Sequence, residues 1–371
     1  MSVRLKIYSI CIGISLFQVT AHVNAQILQD TATLNLVKKN IDYIYNLQFS
    51  DARETYTKII TAYPKHPIVF LMRGMMTYWE NYPLLNKTPA EASFEQDMRQ
   101  CIKLSEENYE PVHEAEYLMA NLCARGFLLL FYSDNELTME VIPLAMSTYK
   151  YLMRSFDFTS SCPDLYYFTG VYNYYREAYP KVYPVYKSLV FPFPKGDMET
   201  GIKELQISAT KSVALRAESY FILCWIILNF EKRYTEALYY SRTLHELYPQ
   251  NVHYHAIYIK NLLLLKQYEE AEKLISALPE EHENKYFQAQ ITIFKGIIQE
   301  KKYLENKQAL QYYNKGIRDI SFAGHYGDEY AAYAYFGLSR INEANGERQI
   351  SKIFRKEANK LADFKEINFD K

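Results

Sequence analysis

The sequence predicts an all-α protein built as a solenoid of about eight helical hairpins, and three observations carry that prediction. Its 371 residues hold only 12 Gly and 13 Pro, whereas β sandwiches and barrels need a turn signal about every eight to twelve residues. Phe49-Ser50-Asp51-Ala52, Tyr234-Thr235-Glu236-Ala237 and Tyr268-Glu269-Glu270-Ala271 share an aromatic-x-acid-Ala pattern, the last two 34 residues apart. Gly74, Gly170 and Gly337 each stand four positions after an aromatic residue inside an apolar run, and Gly296 follows Phe294 in a similar one. Gly in mid-helix costs about 1 kcal/mol relative to Ala. Its recurrence predicts a second helix crossing too closely for a side chain.

Residues 1–25 read as a cleavable secretory signal peptide. Arg4 and Lys6 precede an apolar stretch from Ile7 to about Val19, and small Ala25 stands before Gln26. That stretch is shorter than the roughly 20 residues a membrane-spanning helix needs. Cys11 lies inside it behind Ile10, not at the cleavage point, so no lipid anchor is expected. The localisation implied is export, to a periplasm, with secretion or peripheral membrane association as alternatives. The later apolar run Tyr220–Phe230 is also too short to cross a bilayer. With 42 basic and 43 acidic residues, the chain has no electrostatic footprint for nucleic acid.

Residues 26–371 form one helical-repeat domain. The hairpins are expected to start near residues 34, 67, 112, 164, 214, 252, 285 and 329. After Ala52 the chain places Tyr56, Ile59 and Tyr63-Pro64, and after Ala237 it places Ser241, Leu244 and Tyr248-Pro249 at the same offsets. A helix followed by Pro at a fixed distance is implied twice. These residues resemble the tetratricopeptide-repeat family, whose 34-residue unit of two antiparallel helices carries a bulky residue, a small one four later, then an aromatic, Ala, a further aromatic and Pro. The match is good over residues 214–249 and 252–279 and partial elsewhere. The resemblance implies a right-handed superhelix whose first helices line a concave face.

That register would point Ser219, Ile222, Leu223, Ile226, Asn229 and Phe230 inward from one unit. From the unit around Gly170 it would point Asp164, Tyr167, Phe168, Val171, Tyr174 and Tyr175. Relatives that grip a peptide carboxylate present Lys, Asn and Arg there, and this chain offers only Lys260 among apolar neighbours, so no carboxylate clamp is expected. Such a groove would accept an apolar partner, be buried by tight winding, or be filled by part of the chain.

Between Arg176 and Glu199 the chain inserts an aromatic stretch with Pro180, Pro184, Pro192 and Pro194. These prolines are expected to forbid a continuous helix. Tyr179, Tyr183, Tyr186, Phe191 and Phe193 make it too apolar for a solvated linker. The candidate partner surface therefore comprises Tyr167, Tyr174, Tyr175, Tyr179, Tyr183, Tyr186, Phe191, Phe193, Ile222 and Ile226.

The search for chemistry yields no catalytic constellation, no cofactor motif and no metal motif. His113-Glu114-Ala115-Glu116-Tyr117 lacks the second His of a zinc-protease helix. His253 and His255 begin a helix, where residues two apart point in different directions. Glu114, Glu116, Asp164 and Glu177 are acids of the kind a secreted α/α-toroid hydrolase would need as a facing pair, yet none announces a pair. The reading is a non-catalytic exported scaffold or adaptor that holds another protein or an envelope component. A glycan-binding helical protein and a toroidal carbohydrate-active enzyme are the alternatives. Cys101, Cys123, Cys162 and Cys224 form no C-x-x-C pair, and a disulfide among them is left open.

Overall fold

The computed structural model describes residues 27, 30–107, 113–184, 187, 191–279 and 283–370. Among the described residues eight antiparallel helical hairpins follow one another: α1 (Thr31–Tyr45) with α2 (Phe49–Ala62), α3 (Pro67–Glu80) with α4 (Pro89–Glu107), α5 (Glu114–Asp134) with α6 (Thr138–Ser155), and α7 (Leu165–Val182) with α8 (Met198–Lys211). The second half continues with α9 (Arg216–Asn229) and α10 (Tyr234–Leu247), α11 (Val252–Leu264) and α12 (Tyr268–Ser276), α13 (Lys285–Ile298) and α14 (Asn306–Ile320), and α15 (Asp328–Ala344) and α16 (Arg348–Leu361). Among the described residues there is no strand. The all-α solenoid of hairpins expected from sequence is the observed fold. The predicted hairpin starts fall within three residues of the observed ones.

The repeated sequence pattern has a direct structural meaning. Phe49, Tyr234 and Tyr268 are the first residues of α2, α10 and α12, while Ala52, Ala237 and Ala271 are fully buried where the two helices of a hairpin meet. Each of those helices is entered through the same turn. Leu47, Lys232 and Lys266 adopt left-handed backbone two residues before the helix, with φ of 57° in each. Glu136, Leu304 and Gly346 do so before α6, α14 and α16. The turn is thus set by the hairpin geometry, since five of these six residues are not glycine and bear the cost of a left-handed conformation.

The recurring glycines sit where the sequence places a close crossing. Gly170 of α7 and Gly201 of α8 face each other: a β-carbon on Gly170 would lie 2.9 Å from the Gly201 carbonyl, and one on Gly201 would lie 2.7 Å from the Tyr174 amide. The two backbones therefore touch. Gly296 of α13 and Gly337 of α15 flank a single side chain, Tyr313 of α14. A β-carbon on Gly296 would lie 2.8 Å from the Tyr313 ring, and one on Gly337 would overlap it. Tyr313 is fully buried there, and its hydroxyl donates to Glu300 Oε2 at 2.6 Å. Glu300 in turn accepts from Arg340 Nε at 2.6 Å and Nη2 at 2.8 Å.

The solenoid winds back onto itself. Asn251 caps α11 by accepting from His253 N and Tyr254 N, and its amide donates 2.7 Å to the carbonyl of Tyr45 at the end of α1. One repeat later Asn284 caps α13 by accepting from Phe287 N and donates 3.2 Å to the carbonyl of Tyr82 beyond α3. Arg216 and Tyr248 both donate to Asp42, at 2.9 and 3.1 Å, and the Tyr326 hydroxyl donates 3.2 Å to the Leu84 carbonyl. Hairpins one and two are therefore docked against hairpins five to eight. Of the three accounts of the concave face, tight winding is the one observed.

One sequence expectation needs correction. The helix α7 does not stop at Arg176 but continues through Pro180 to Val182. Pro180 lies in the last turn, so it removes one hydrogen bond only, and ring contacts from Tyr175 to Tyr179 (6.0 Å) and Tyr179 to Tyr183 (5.0 Å) hold that turn. The four cysteines of the described residues are free and buried. Residues 1–25, read as a signal peptide, lie outside the described residues.

Candidate functional site

Winding the inner helices around one axis leaves a cavity of about 310 Å³ at the centre. Its floor is Tyr78 of α3, Tyr254, Ile257 and Lys260 of α11, and Tyr286 of α13, all buried. Leu130 of α5, His325 and Asp363 stand at the exposed mouth. Aromatic rings form most of the wall. Tyr82 is stacked on Trp79 at 5.4 Å and meets His253 at 4.7 Å and Tyr326 at 5.7 Å. His253 and His255 do point apart, since His255 packs against His245 at 4.7 Å.

The ionisable groups of the wall are mostly acidic. Glu218 of α9 accepts from the Tyr45 hydroxyl at 3.1 Å, but burial dominates and pushes its carboxyl up to about 7. Burial likewise raises Asp134, at the end of α5, to about 7, against the opposing charge of His325 and the Tyr326 hydroxyl. Asp363, at the mouth, is raised by partial desolvation and by the neighbouring charges of Glu329 and Asp328, against His325. Burial, with Lys260 nearby, drives His253 down to about 3, so its ring is neutral. Lys260 donates to Glu329 at 3.0 Å, and His325 contacts Asp328 at 2.9 Å.

The residues predicted as a partner surface divide into groups. Ile222 lines the cavity. Tyr174 and Ile226 are fully buried and belong to the core: Tyr174 donates to Glu231 at 2.5 Å, because the inward register points them between helices. Tyr167 is part-buried near Glu218. Tyr175, Tyr179 and Tyr183 form a ladder of rings that continues from Tyr175 to Phe230 at 5.4 Å, to Phe364 at 5.3 Å, and to Trp225 on the cavity wall at 5.8 Å. Phe193 lies on Tyr149 at 4.7 Å, while Phe191 is 85% exposed. Tyr186 lies outside the described residues.

The return segment of the insertion is fastened to α7. Tyr172 donates to the Pro194 carbonyl at 2.6 Å, Arg176 to the Phe193 carbonyl at 3.1 Å, and the Gly196 amide to Glu177 at 3.1 Å. Beside it, Met139, Ile142 and Met146 of α6 are 82%, 55% and 74% exposed. With Tyr149 they occupy one face at helical spacing, leading to Phe193. Sequence reasoning missed this stripe, although its i, i+3, i+7 spacing was there to read.

The acids that a toroidal hydrolase would pair are each engaged elsewhere. Glu114 accepts from Arg154 at 2.7 Å, and Glu116 lies 3.0 Å from His66 Nε2. Asp164 accepts from the amides of Val213, Ala214 and Leu215 at 2.7–2.9 Å, fixing the turn into α9. Glu177 holds Arg176 at 3.2 Å as well as the Gly196 amide.

These features define the class: an all-α helical-repeat protein with a closed concave face. A tetratricopeptide-repeat family model matches residues 231–291, the segment from α10 into α13, so the repeat expected from sequence is present there. No curated protein and no solved structure matches the chain. A tetratricopeptide repeat points to a protein-interaction scaffold, because stacked hairpins present an extended rigid surface. No helix among the described residues is long and apolar enough to cross a membrane.

Proposed function

We propose that the chain is an exported, periplasmic scaffold or adaptor that binds another protein of the cell envelope and catalyses no reaction. Residues 1–25 act as its signal peptide and 26–371 as its repeat domain, interrupted by the insertion at 176–199. The observation that carries the reading is the exposed apolar stripe of Met139, Ile142 and Met146, which leads through Tyr149 to Phe193 of the insertion. Soluble surfaces seldom leave such residues contiguous without a use. The closed concave face moves the partner surface to this outer flank, where the aromatic insertion adds to it.

A photo-cross-linking residue at Met146, compared with one at exposed Thr57 on α2, tests the surface in the native envelope. The reading expects one dominant cross-linked species from position 146 that disappears in Met139→Ser/Ile142→Ser. The same species from both positions, or none from 146, contradicts it. N-terminal sequencing of the mature protein tests export, with Gln26 as the expected first residue.

A further inference from the structure

We propose that the central cavity is a binding site for a small organic ammonium ion, a use distinct from the outer partner surface. Two independent features of the cavity point to a ligand. The first is charge. Five carboxyl groups line it: Asp134, Glu218, Asp328, Glu329 and Asp363. Only two form a salt bridge among the described residues, Glu329 with Lys260 and Asp328 with His325, and His325 also acts at longer range on Asp134 and Asp363. Asp134, Glu218 and Asp363 have no salt bridge among the described residues. Holding Asp134 and Glu218 among aromatic rings without an ion-pair partner is costly, and a ligand ammonium supplies the missing partner.

The second is the set of polar atoms the fold leaves without a bond. The Trp79 indole N–H and the Tyr254 hydroxyl belong to wall residues more than nine-tenths buried, and neither has a hydrogen-bond partner among the described residues. The His253 Nδ1 is also unsatisfied. Groups of this kind are bonded in nearly all folded proteins, and the residues lining this one cavity carry three that lack a partner among the described residues. The wall itself suits a cation with an apolar body. Trp79, Tyr82, Phe221, Trp225, Tyr286 and Tyr326 line it, and the Lys260 ammonium already lies over the Trp225 ring, 6.0 Å from its centre; aromatic rings attract an ammonium group through their quadrupoles. The volume is at the lower end of the range for small-molecule sites.

Charge also sets the pH dependence. Glu218 is faced by the hydroxyls of Tyr45, Tyr167 and Tyr254 from α1, α7 and α11. Asp134 is faced by His325 and Tyr326, and by Tyr82 and Tyr286. Lys260, on the same floor, is held by Glu329. With both carboxyls near 7, a bound cation lowers them and releases a proton at pH 6. Affinity therefore rises between pH 6 and pH 8 and flattens above.

The test is calorimetric titration of the full mature chain with choline, benzyltrimethylammonium and tyramine, beside the neutral choline isostere 3,3-dimethylbutan-1-ol and cellobiose. The proposal expects at least one cation to bind, with affinity rising several-fold from pH 6 to pH 8 and falling at least tenfold in Glu218→Gln or Asp134→Asn. Both variants keep side-chain size, and unchanged helical circular dichroism verifies their folding; Asp363→Asn at the exposed mouth gives a third variant that leaves the floor intact. Binding of the neutral isostere or of cellobiose as tightly as the cation overturns the proposal. So does the absence of binding by all three cations, or binding indifferent to all three carboxyl variants.

Discussion

The side-chain amide of Asn251 donates a 2.7 Å hydrogen bond to the carbonyl of Tyr45, 206 residues away. The same side chain caps α11, so one residue both starts a helix and ties the sixth hairpin to the first. Asn284 repeats the arrangement on Tyr82 one hairpin later. Replacing Asn251 by Ala removes a cap, worth about 1 kcal/mol, and leaves a buried carbonyl unpaired, costing about 1–3 kcal/mol more. Chemical denaturation should show a loss of about 2–4 kcal/mol. Asn251→Ser, which keeps the cap but not the reach, should recover only the smaller part.

Tyr313 fills the space left by two glycines on neighbouring helices. Gly337→Ala forces the ring to move in a core that has no room for it, at about 1–3 kcal/mol. Removing the ring in Tyr313→Leu costs on its own, through lost packing and the lost bond to Glu300. The two changes occupy one site, so the double variant should be less destabilised than the sum of the single ones. Strict additivity in urea unfolding contradicts this packing.

The hairpins were legible because they are local. Aromatic, Ala and Gly positions recur within one 34-residue unit and report only how two adjacent helices cross. The cavity was not legible. The residues that close it, such as Tyr45 with Glu218 or Tyr326 with Leu84, are 173 and 242 positions apart, and their meeting is the sum of small rotations between successive repeats. The inward register likewise identified Ile222 and Lys260, which do face the cavity, yet misplaced Ile226 and Tyr174. One residue's rotation on a helix separates wall from core. Of the 36 tyrosines that dominate the composition, Tyr313 is a wedge between repeats, Tyr82 and Tyr286 are cavity wall, and Tyr175, Tyr179 and Tyr183 are the ladder between the insertion and the cavity.

Glu218 should make stability fall as pH rises. Its carboxyl titrates near 7 in the folded chain against an ordinary 4.5, so between these values the folded state holds the proton that the unfolded state has lost. The stabilisation is complete below about pH 4.5 and is lost as pH rises through 7. Glu218→Gln should therefore exceed the wild type in stability at pH 8 by about 1–3 kcal/mol and match it at pH 4.5. A difference that is constant across this range contradicts the burial of Glu218 in the wall.

Phe364 bridges Phe230 and Trp225, at 5.3 and 5.8 Å. Phe364→Ala opens the ladder beside one of the two tryptophans of the chain and costs about 2–4 kcal/mol for a part-buried ring. Tryptophan emission should shift to longer wavelength, and trypsin should cut sooner near Lys365. Unchanged emission would place Trp225 out of contact with the segment after α16.

Closure of the concave face rests on the first hairpin touching the sixth, where the backbone N–H of Gln250 donates 3.0 Å to Asn46 Oδ1. Cysteines placed at these two positions measure that contact directly. In Asn46→Cys/Gln250→Cys the account predicts rapid cross-linking under mild oxidation, a compact species on non-reducing gels, and a raised melting temperature. Two thiols that remain separately reactive to maleimide, with no intramolecular cross-link, would show an open superhelix and contradict the account.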